Sequence, residues 1–219
     1  MKFKKILLIF LIIGILFSCN KKDNFNYPEG TVGISKITYF PVLTKEGTDY
    51  MVIAVGGTYT EPGVTAKEGS ADLTVTTSGT VDTNTPGIYT LNYSAVNKDG
   101  FSASERRTVV VYSTDATAAA NDLSGNYVRT SNGVSAIWTK LAPGVYLIAN
   151  PGGAASGTDL QVIAFNSTGY TVEIPSQISS DGNTSSSTNF TYTNGNPSSY
   201  SLVFNNPGYG TGVRTFVKQ

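Results

Sequence analysis

The most reactive side chain in this sequence is that of Cys19, the single cysteine, and the sequence contains no histidine. A thiol can attack an electrophile, bind a metal, form a disulfide or accept an acyl group. An internal disulfide needs a second cysteine. Without histidine, the Cys–His and Ser–His nucleophilic pairs and most zinc sites are excluded as well. These absences remove the commonest nucleophilic and metal-binding roles of a thiol.

The residues before Cys19 are typical of a bacterial export signal. Lysines near the N-terminus precede an unbroken apolar stretch over residues 6–17, and the small residue Ser18 comes directly before the cysteine. The stretch is well short of the roughly 20 apolar residues that a membrane-spanning helix needs. We therefore interpret residues 1–18 as a signal peptide. Residues 19–30 are polar and carry no apolar period, which favours a flexible tether.

The four residues from Leu16 to Cys19, Leu-Phe-Ser-Cys, resemble the lipobox of bacterial lipoproteins. The resemblance implies that the Cys19 thiol is diacylated and that Cys19 becomes the mature N-terminus. Each buried acyl methylene contributes about 0.8 kcal/mol, so a multiply acylated Cys19 would hold the protein on a membrane. The charged residues just after Cys19 are similar to the sorting signals of surface-exposed Bacteroidetes lipoproteins. We expect an outer-membrane protein at the cell surface, with the periplasmic face as the alternative.

Charge and composition narrow the class further. Loss of the three signal-peptide lysines leaves 12 basic residues against 15 acidic ones, a net charge of −3. Such a surface gives no counterion-release driving force, so we expect no nucleic-acid partner. The mature chain is rich in Thr, Ser, Gly, Asn, Val and Tyr and poor in strong helix formers, which predicts an all-β protein.

Residues 31–113 alternate like the strands of an immunoglobulin-like sandwich. The longest predicted strands cover residues 88–96 and 107–112, and turn pairs such as Pro86-Gly87 separate them. This part resembles the immunoglobulin-like domains of bacterial surface proteins, which implies a spacer or adhesive module. The motifs that carry the resemblance lie at residues 59–66, 72–75, 79–82, 86–93, 99–100 and 107–109.

Residues 114–122 are small and mostly polar, and we interpret them as a linker. Residues 123–219 follow as a meander of predicted short strands, which favours a second small antiparallel β-sandwich or barrel. The predicted strands cover residues 125–130, 136–141, 145–149, 160–165, 170–174, 190–193, 200–204 and 213–217. Residues 123–130, 137–140 and 144–148 resemble the C-terminal domain of Bacteroidetes surface lipoproteins that are often associated with polysaccharide-uptake systems.

No catalytic or metal-binding constellation emerges from the residue types. A glycosidase needs two carboxylates that flank one bond. Asp159 and Glu173 could face each other across a hairpin, but nothing indicates that they share a cleft, and Asp181 lies in a turn context. No Asp-x-Asp spacing supports calcium. We therefore predict a non-catalytic protein without a cofactor or metal.

Aromatic residues are the candidate ligand contacts, because sugar-binding proteins stack pyranose faces on flat rings. The sequence offers such rings in an Asn/Ser-rich second domain, where Trp138 shares a strand face with Ala136 and Lys140 that we expect to be partly exposed. The alternative is that these rings belong to the core, as tyrosines on half-buried strands often do. The candidate binding residues are Trp138, Tyr146, Tyr170, Tyr192, Tyr200 and Tyr209.

Two function hypotheses follow. The leading one is a lipid-anchored surface protein that binds a polysaccharide and serves outer-membrane uptake proteins. The other is a structural or adhesive surface protein that binds another protein through a sheet edge or a flat patch.

Overall fold

A computed structural model describes residue 28 and residues 31–32, 35–156 and 159–219. The predicted signal peptide, Cys19 and nearly all of the tether lie outside these residues. The described residues form 18 strands and one short helix, α1 (Ala116–Ala119). None of the helices in this part of the chain is long and apolar enough to cross a bilayer. The strands are β1 (Thr31–Val32), β2 (Ser35–Lys36), β3 (Pro41–Lys45), β4 (Tyr50–Ala54), β5 (Val64–Glu68), β6 (Ala71–Leu73), β7 (Thr76–Ser78), β8 (Gly87–Val96), β9 (Ser102–Tyr112), β10 (Gly125–Arg129), β11 (Ser135–Ala142), β12 (Val145–Ala149), β13 (Gln161–Thr168), β14 (Thr171–Glu173), β15 (Gln177–Ile178), β16 (Thr184–Thr193), β17 (Ser199–Asn205) and β18 (Val213–Lys218).

The chain divides into two compact units, residues 1–39 and residues 40–219. In the first unit, β1 and β2 form an antiparallel pair. The second unit contains the remaining described strands. The predicted all-β fold class is confirmed. The predicted domain limits at residues 31, 113 and 123 stay predictions.

Strands β3 to β9 form a two-sheet sandwich. One sheet has the order β3-β5-β6, and the other has the order β4-β9-β8-β7, in which β4 runs parallel to β9. Alternate residues of β8 and β9 face the opposite sheet, so Leu91, Tyr93 and Val109 are buried between the two sheets. Tyr89, four residues before Tyr93 on the same strand, packs against this same core.

The chain passes from one sheet of the sandwich to the other between Leu73 and Thr76. Residues 73–77 alternate like one strand, but the chain leaves β6 after Leu73 and enters β7 at Thr76, in the other sheet. Val75, between the two, still packs against the sandwich core. An alternating apolar pattern indicates which side chains face the core. It does not indicate which neighbouring strand forms the backbone hydrogen bonds.

Nine of the described strands form an antiparallel sheet with the order β14-β13-β12-β11-β10-β18-β17-β16-β15. The two ends of this sheet are joined to each other. The Ser187 backbone N–H donates to the Ile174 carbonyl at 2.9 Å. The Gln177 side chain accepts from the Ile163 N–H and donates to the Ile163 carbonyl, both at 2.7 Å. The sheet therefore closes into what we call the barrel, with an aromatic-rich interior.

The barrel strands β12 and β13 are buried on both faces. Tyr146, Ile148 and Val162 point into the barrel, while Val145 and Ile163 point outwards and pack against Val110 of β9. The sandwich and the barrel thus share an apolar interface within one compact unit. Strands buried on both faces have near-continuous apolar sequences. The continuous apolar runs at residues 145–149 and 162–165 therefore indicate that both faces of these strands are buried.

The predicted linker also packs on the barrel. It contains α1, whose Ala118 is fully buried and whose N-cap is the Asp115 side chain. The Asp115 N–H donates to the Ser167 carbonyl at 2.9 Å. The Asn121 side chain donates to the side-chain oxygen of Asn166 at 3.1 Å. These contacts tie the segment to β13, so it packs on the barrel.

We expect Val110→Ala to lower the stability of the barrel as well as that of the sandwich, by about 1–2 kcal/mol. The side chain is fully buried against barrel residues, so its truncation leaves a cavity in the shared interface. Trp138, the single tryptophan, lies in the barrel and reports barrel unfolding by fluorescence. In urea, Val110→Ala should shift the Trp138 transition to lower concentration, while the exposed Val42→Ala should not. A Trp138 transition that Val110→Ala leaves unchanged would show that the two parts unfold independently.

Candidate functional site

Three of the six candidate aromatic residues belong to the barrel core. Tyr146 is fully buried, and Trp138 and Tyr200 are each only 2% exposed. A ring that stacks on a sugar must present a face to solvent, and none of these three does. The expectation that the Trp138 face is partly exposed is therefore wrong, and the alternative, a core role, holds for all three.

The position of β11 explains why this expectation failed. The face that carries Ala136 and Trp138 points into the barrel, while Ile137 on the other face is 52% exposed. Lys140, at the end of the inward face, donates from Nζ to the Asn121 carbonyl at 2.6 Å. The lysine marks the point where the strand leaves the barrel interior, and it does not show that the face is in contact with solvent.

Tyr170 and Tyr192 form an accessible pair at one end of the barrel. Their ring centroids lie 5.9 Å apart and the planes are within 11° of parallel. Tyr170 is 42% exposed and its hydroxyl accepts from the Asn194 amide at 2.7 Å. The Tyr192 hydroxyl lies 3.0 Å from that of Tyr127 in the core, which fixes the ring. The pair is therefore a small aromatic surface with little freedom to move.

Tyr209 lies at the opposite end of the barrel, because it belongs to the β17–β18 loop and successive connections of an antiparallel sheet alternate between its ends. It lines a cleft of about 460 Å³. The cleft is formed by the end of β10 and by the loops β12–β13, β15–β16 and β17–β18. We call it the mouth cleft. Barrel mouths are common positions for ligand sites.

The Tyr209 ring is held on three sides. It stands edge-on to Phe204 at a centroid distance of 5.0 Å, and the Arg214 guanidinium lies 5.2 Å from its centroid. On the third side it packs against the Gly152 backbone so closely that a Cβ on Gly152 would come within 2.1 Å of the ring. Gly152 therefore has a packing role, since any side chain at this position would displace Tyr209.

Asp181 organises the polar side of the mouth cleft. Its carboxylate accepts from the Ser179 hydroxyl at 2.6 Å, from the backbone and side chain of Asn183, and from the Asn206 amide at 3.0 Å. Burial alone would raise the pKa of Asp181, but these hydrogen bonds outweigh it and hold the pKa well below its usual range. Asp181 is therefore ionised at any physiological pH, with its oxygen atoms already engaged.

Two arginines reach the mouth cleft from neighbouring strands. Arg129 ends β10 and lies opposite Phe216 of β18, while Arg214 precedes Phe216 by two residues. Both side chains therefore lie on the inward face of the barrel, at its rim. Arg214 is only 7% exposed. Its burial, and then the neighbouring charge of Arg129, lower the pKa of Arg214.

Sequence reasoning found Tyr209 but missed the side chains around it. Asn206 and Arg214 flank one loop, but Arg129 and Asp181 are distant from them in the sequence. They join the site because β10 pairs with β18 and the sheet closes. The sequence feature that indicates a site here is the concentration of glycines at residues 152–153 and 208–212. Glycines are common where a backbone packs closely against another group and in loops that bind ligands.

Among the described residues, no group of three Asp, Glu, Cys or His side chains lies close enough to hold a metal ion. The carboxylates of Asp159 and Asp181 line the mouth cleft together, a pairing that the sequence did not indicate. Glu173 lines a different cavity, beside Pro86 and Tyr112. Asp159 and Glu173 therefore line separate cavities, in line with the absence of any sequence feature that would place them in one cleft.

Residues 43–111 match the family model described as the Ig-like domain of bacterial surface proteins. The match lies within the sandwich described above, and it confirms the predicted resemblance to a bacterial surface protein with an immunoglobulin-like domain.

Two solved structures resemble the chain. A lipoprotein from Bacteroides thetaiotaomicron is 26% identical, with a TM-score of 0.45 over 82% of this chain and 100% of that one. A Clostridium perfringens protein with an M60 catalytic domain and two CBM51 domains is 10% identical, with a TM-score of 0.29 over 84% of this chain and 22% of that one. None of the curated proteins matches the chain.

Proposed function

We propose that this chain is a non-catalytic binding protein, anchored through acylated Cys19 in the outer membrane and facing the cell exterior, and that it captures a glycan in the mouth cleft. The interface that the sandwich and the barrel share keeps these two parts in a fixed arrangement. Capture near the membrane would raise the local concentration of substrate for a carbohydrate-uptake system.

The observation that carries this proposal is the composition of the mouth cleft. One aromatic ring, Tyr209, stands among amide, carboxylate and guanidinium groups from three loops and a strand end. A sugar presents an apolar ring face and many hydroxyls, so it is matched by a flat ring beside donors and acceptors in fixed positions. Asn183 and Asn206 are held in place by Asp181.

The state of Asp181 argues against a role for this carboxylate as the acid of a glycosidase. A glycosidase needs one carboxylic acid with a raised pKa to protonate the leaving group. In the mouth cleft the pKa of Asp181 is shifted in the opposite direction, because Ser179, Asn183 and Asn206 donate to its carboxylate. Asp181 is thus suited to positioning two asparagines and unsuited to donating a proton.

A protein ligand is the second candidate, and one surface favours it. Phe40 and Phe101 on the sandwich are 61% and 41% exposed, and their rings are in contact at 4.8 Å. Exposed aromatic pairs of this kind contribute strongly to protein–protein interfaces.

We expect residues 20–219 to be retarded in native gels that contain one or more of a panel of neutral and acidic polysaccharides. This fragment keeps the whole compact unit of residues 40–219. Tyr209→Ala should weaken the retarding interaction about tenfold because it removes the ring that faces the cleft. Tyr209→Phe keeps the ring and should retain most of the binding.

Tyr170→Ala is the matched control, since it removes an exposed tyrosine from the other end of the barrel. If Tyr170→Ala abolishes binding and Tyr209→Ala does not, the glycan site is the Tyr170–Tyr192 pair. If no polysaccharide retards the protein, the glycan proposal fails, and Phe40→Ser becomes the variant with which to test the protein-partner candidate.

A further inference from the structure

The two guanidinium groups of the mouth cleft are near each other, and neither forms an ion pair with a carboxylate of the described residues. Arg129 contributes to the lowered pKa of Arg214 through charge repulsion. No carboxylate of the described residues lies within ion-pair distance of either group, although other arginines and lysines in the same part of the chain have such partners. Two adjacent positive charges without a counter-charge are unfavourable in a partly buried site.

The guanidinium groups also retain free donors. Nε of Arg129 and both Nε and Nη1 of Arg214 are buried without an acceptor among the described atoms. Arg214 uses Nη2 for the Gly210 carbonyl at 3.2 Å, and Arg129 uses Nη1 for the Gly153 carbonyl at 3.3 Å. A buried charged group with unsatisfied donors costs folding free energy, so this arrangement is typical of a site whose acceptor is a ligand.

The acidic residues of the cleft do not take this role. Asp181 already accepts hydrogen bonds from Ser179, Asn183 and Asn206. Asp159 is exposed on the rim. Neither carboxylate forms an ion pair with an arginine among the described residues, so the positive charge at the inner wall of the cleft remains available.

We propose that Arg129 and Arg214 recognise an acid group on the ligand, so that the glycan captured in the mouth cleft is an acidic polysaccharide that bears carboxylate or sulfate groups. This inference rests on the proposed glycan function and names its substrate class. The planar guanidinium presents paired N–H donors that match the geometry of carboxylate and sulfate oxygens. The Arg214 guanidinium lies over the Tyr209 ring, 5.2 Å from its centroid, so an acid group bound by Arg214 would have an aromatic ring beside it for the sugar.

The net charge of the protein does not explain a preference for acidic polysaccharides, because the mature chain carries 12 basic against 15 acidic residues and is therefore slightly negative. A negative polymer is attracted only where positive charge is locally concentrated. Binding that depends on these two side chains should weaken as salt rises, since screening acts on the exposed part of the interaction.

Titration calorimetry of residues 20–219 tests the inference with four probes: polygalacturonate, chondroitin sulfate, and the neutral polysaccharides dextran and galactan. We expect an acidic probe to bind at least tenfold more tightly than the neutral ones, and more weakly at about 300 mM than at about 50 mM NaCl. Arg214→Gln should weaken that binding about tenfold to a hundredfold, because it removes charge-assisted hydrogen bonds. Arg214→Lys keeps the charge but loses the paired donors, so it should restore only part of the affinity.

Lys67→Gln is the matched control, since it removes one positive charge from a side chain that is 58% exposed on the sandwich. If Arg214→Gln lowers the melting temperature, Arg129→Gln replaces it. Neutral glycans that bind as tightly as acidic ones, or equal affinities for Arg214→Gln and Lys67→Gln, overturn this inference and leave the glycan function intact. Absence of binding to all four probes contradicts the proposed function itself.

Discussion

Trp138→Ala is expected to destabilise the barrel by about 3–5 kcal/mol, a large share of the stability of a domain of this size. The indole is 2% exposed and contacts the rings of Tyr127, Tyr146 and Tyr200 at centroid distances of 5.1–5.7 Å. Its truncation leaves a large cavity at the centre of the aromatic core. Urea denaturation followed by circular dichroism measures the effect.

Two variants separate this core role from a binding role. Trp138→Phe keeps an aromatic ring and removes a buried indole N–H that has no acceptor among the described residues, so it should cost only about 1–2 kcal/mol. Ile137→Ala changes the neighbouring exposed side chain and should cost about 1 kcal/mol or less. Equal denaturation midpoints for Trp138→Ala and Ile137→Ala would contradict the core assignment and return Trp138 to the candidate binding residues.

Because Trp138 is a core residue, a loss of binding in Trp138→Ala does not identify Trp138 as a ligand contact. A variant that loses several kcal/mol of stability loses binding whether or not the residue touches the ligand. Tyr209 and Arg214 are the informative positions, because they line the mouth cleft.

Local features of the fold were predictable from the sequence. The β8–β9 hairpin follows from two alternating runs around Lys98-Asp99-Gly100, and Gly100 adopts the positive φ of 86° that such a turn needs. Strand β12 was predicted with its exact limits, residues 145–149. In these segments one pattern of apolar residues and one turn signal suffice to define the structure.

Other segments carry no such pattern. The first half of β16 is the polar run at residues 184–189, which pairs with β17 and is interrupted by an irregularity next to Asn189, at a positive φ of 53°. Its contacts depend on hydrogen bonds such as that between Ser187 and Ile174. A run of serines and threonines does not distinguish such a strand from a loop.

The candidate site was the least predictable part, for a physical reason. Arg129 and Arg214 become neighbours through the pairing of β10 with β18, a contact between the start and the end of the barrel sequence. Local patterns determine which residues alternate, but not which distant strands close a sheet. Tyr209 was identified because a glycine-rich loop is visible locally, and its partners became visible only in the closed barrel.

Arg107→Ala is expected to destabilise the sandwich by about 2–4 kcal/mol, because it truncates a fully buried side chain and removes the ion-pair partner of the partly buried Glu61 carboxylate. Arg107 is fully buried, and its Nε lies 3.2 Å from the Glu61 carboxylate. The rest of its guanidinium donates to the backbone carbonyls of Thr48 and of Glu46, the latter at 2.6 Å. The exposed pair of Lys67 and Asp72 provides the control, since Lys67→Ala should cost less than about 1 kcal/mol.

The same network predicts a dependence of stability on pH. Glu61 accepts from the hydroxyls of Tyr59 and Tyr93 and from the Gly63 N–H, which explains the Glu-Pro-Gly motif at residues 61–63. Burial opposes ionisation, but these hydrogen bonds and the charge of Arg107 lower the pKa of Glu61 below its usual value of 4.5. Because the pKa is lower in the folded state, the stabilisation is complete above about pH 4.5 and is lost as the pH falls towards the folded-state pKa.

Glu61→Gln should therefore reduce stability at pH 7 and flatten its decline between about pH 5 and pH 3. Urea denaturation at several pH values measures both effects. In the double variant Arg107→Met with Glu61→Gln, the buried charge and its partner are removed together, so we expect a smaller loss than the sum of the two single changes. If the losses of stability in the double variant are additive, the Glu61–Arg107 ion pair is not the organising contact of the sandwich. The same holds if the plot of stability against pH for Glu61→Gln runs parallel to that of the wild type.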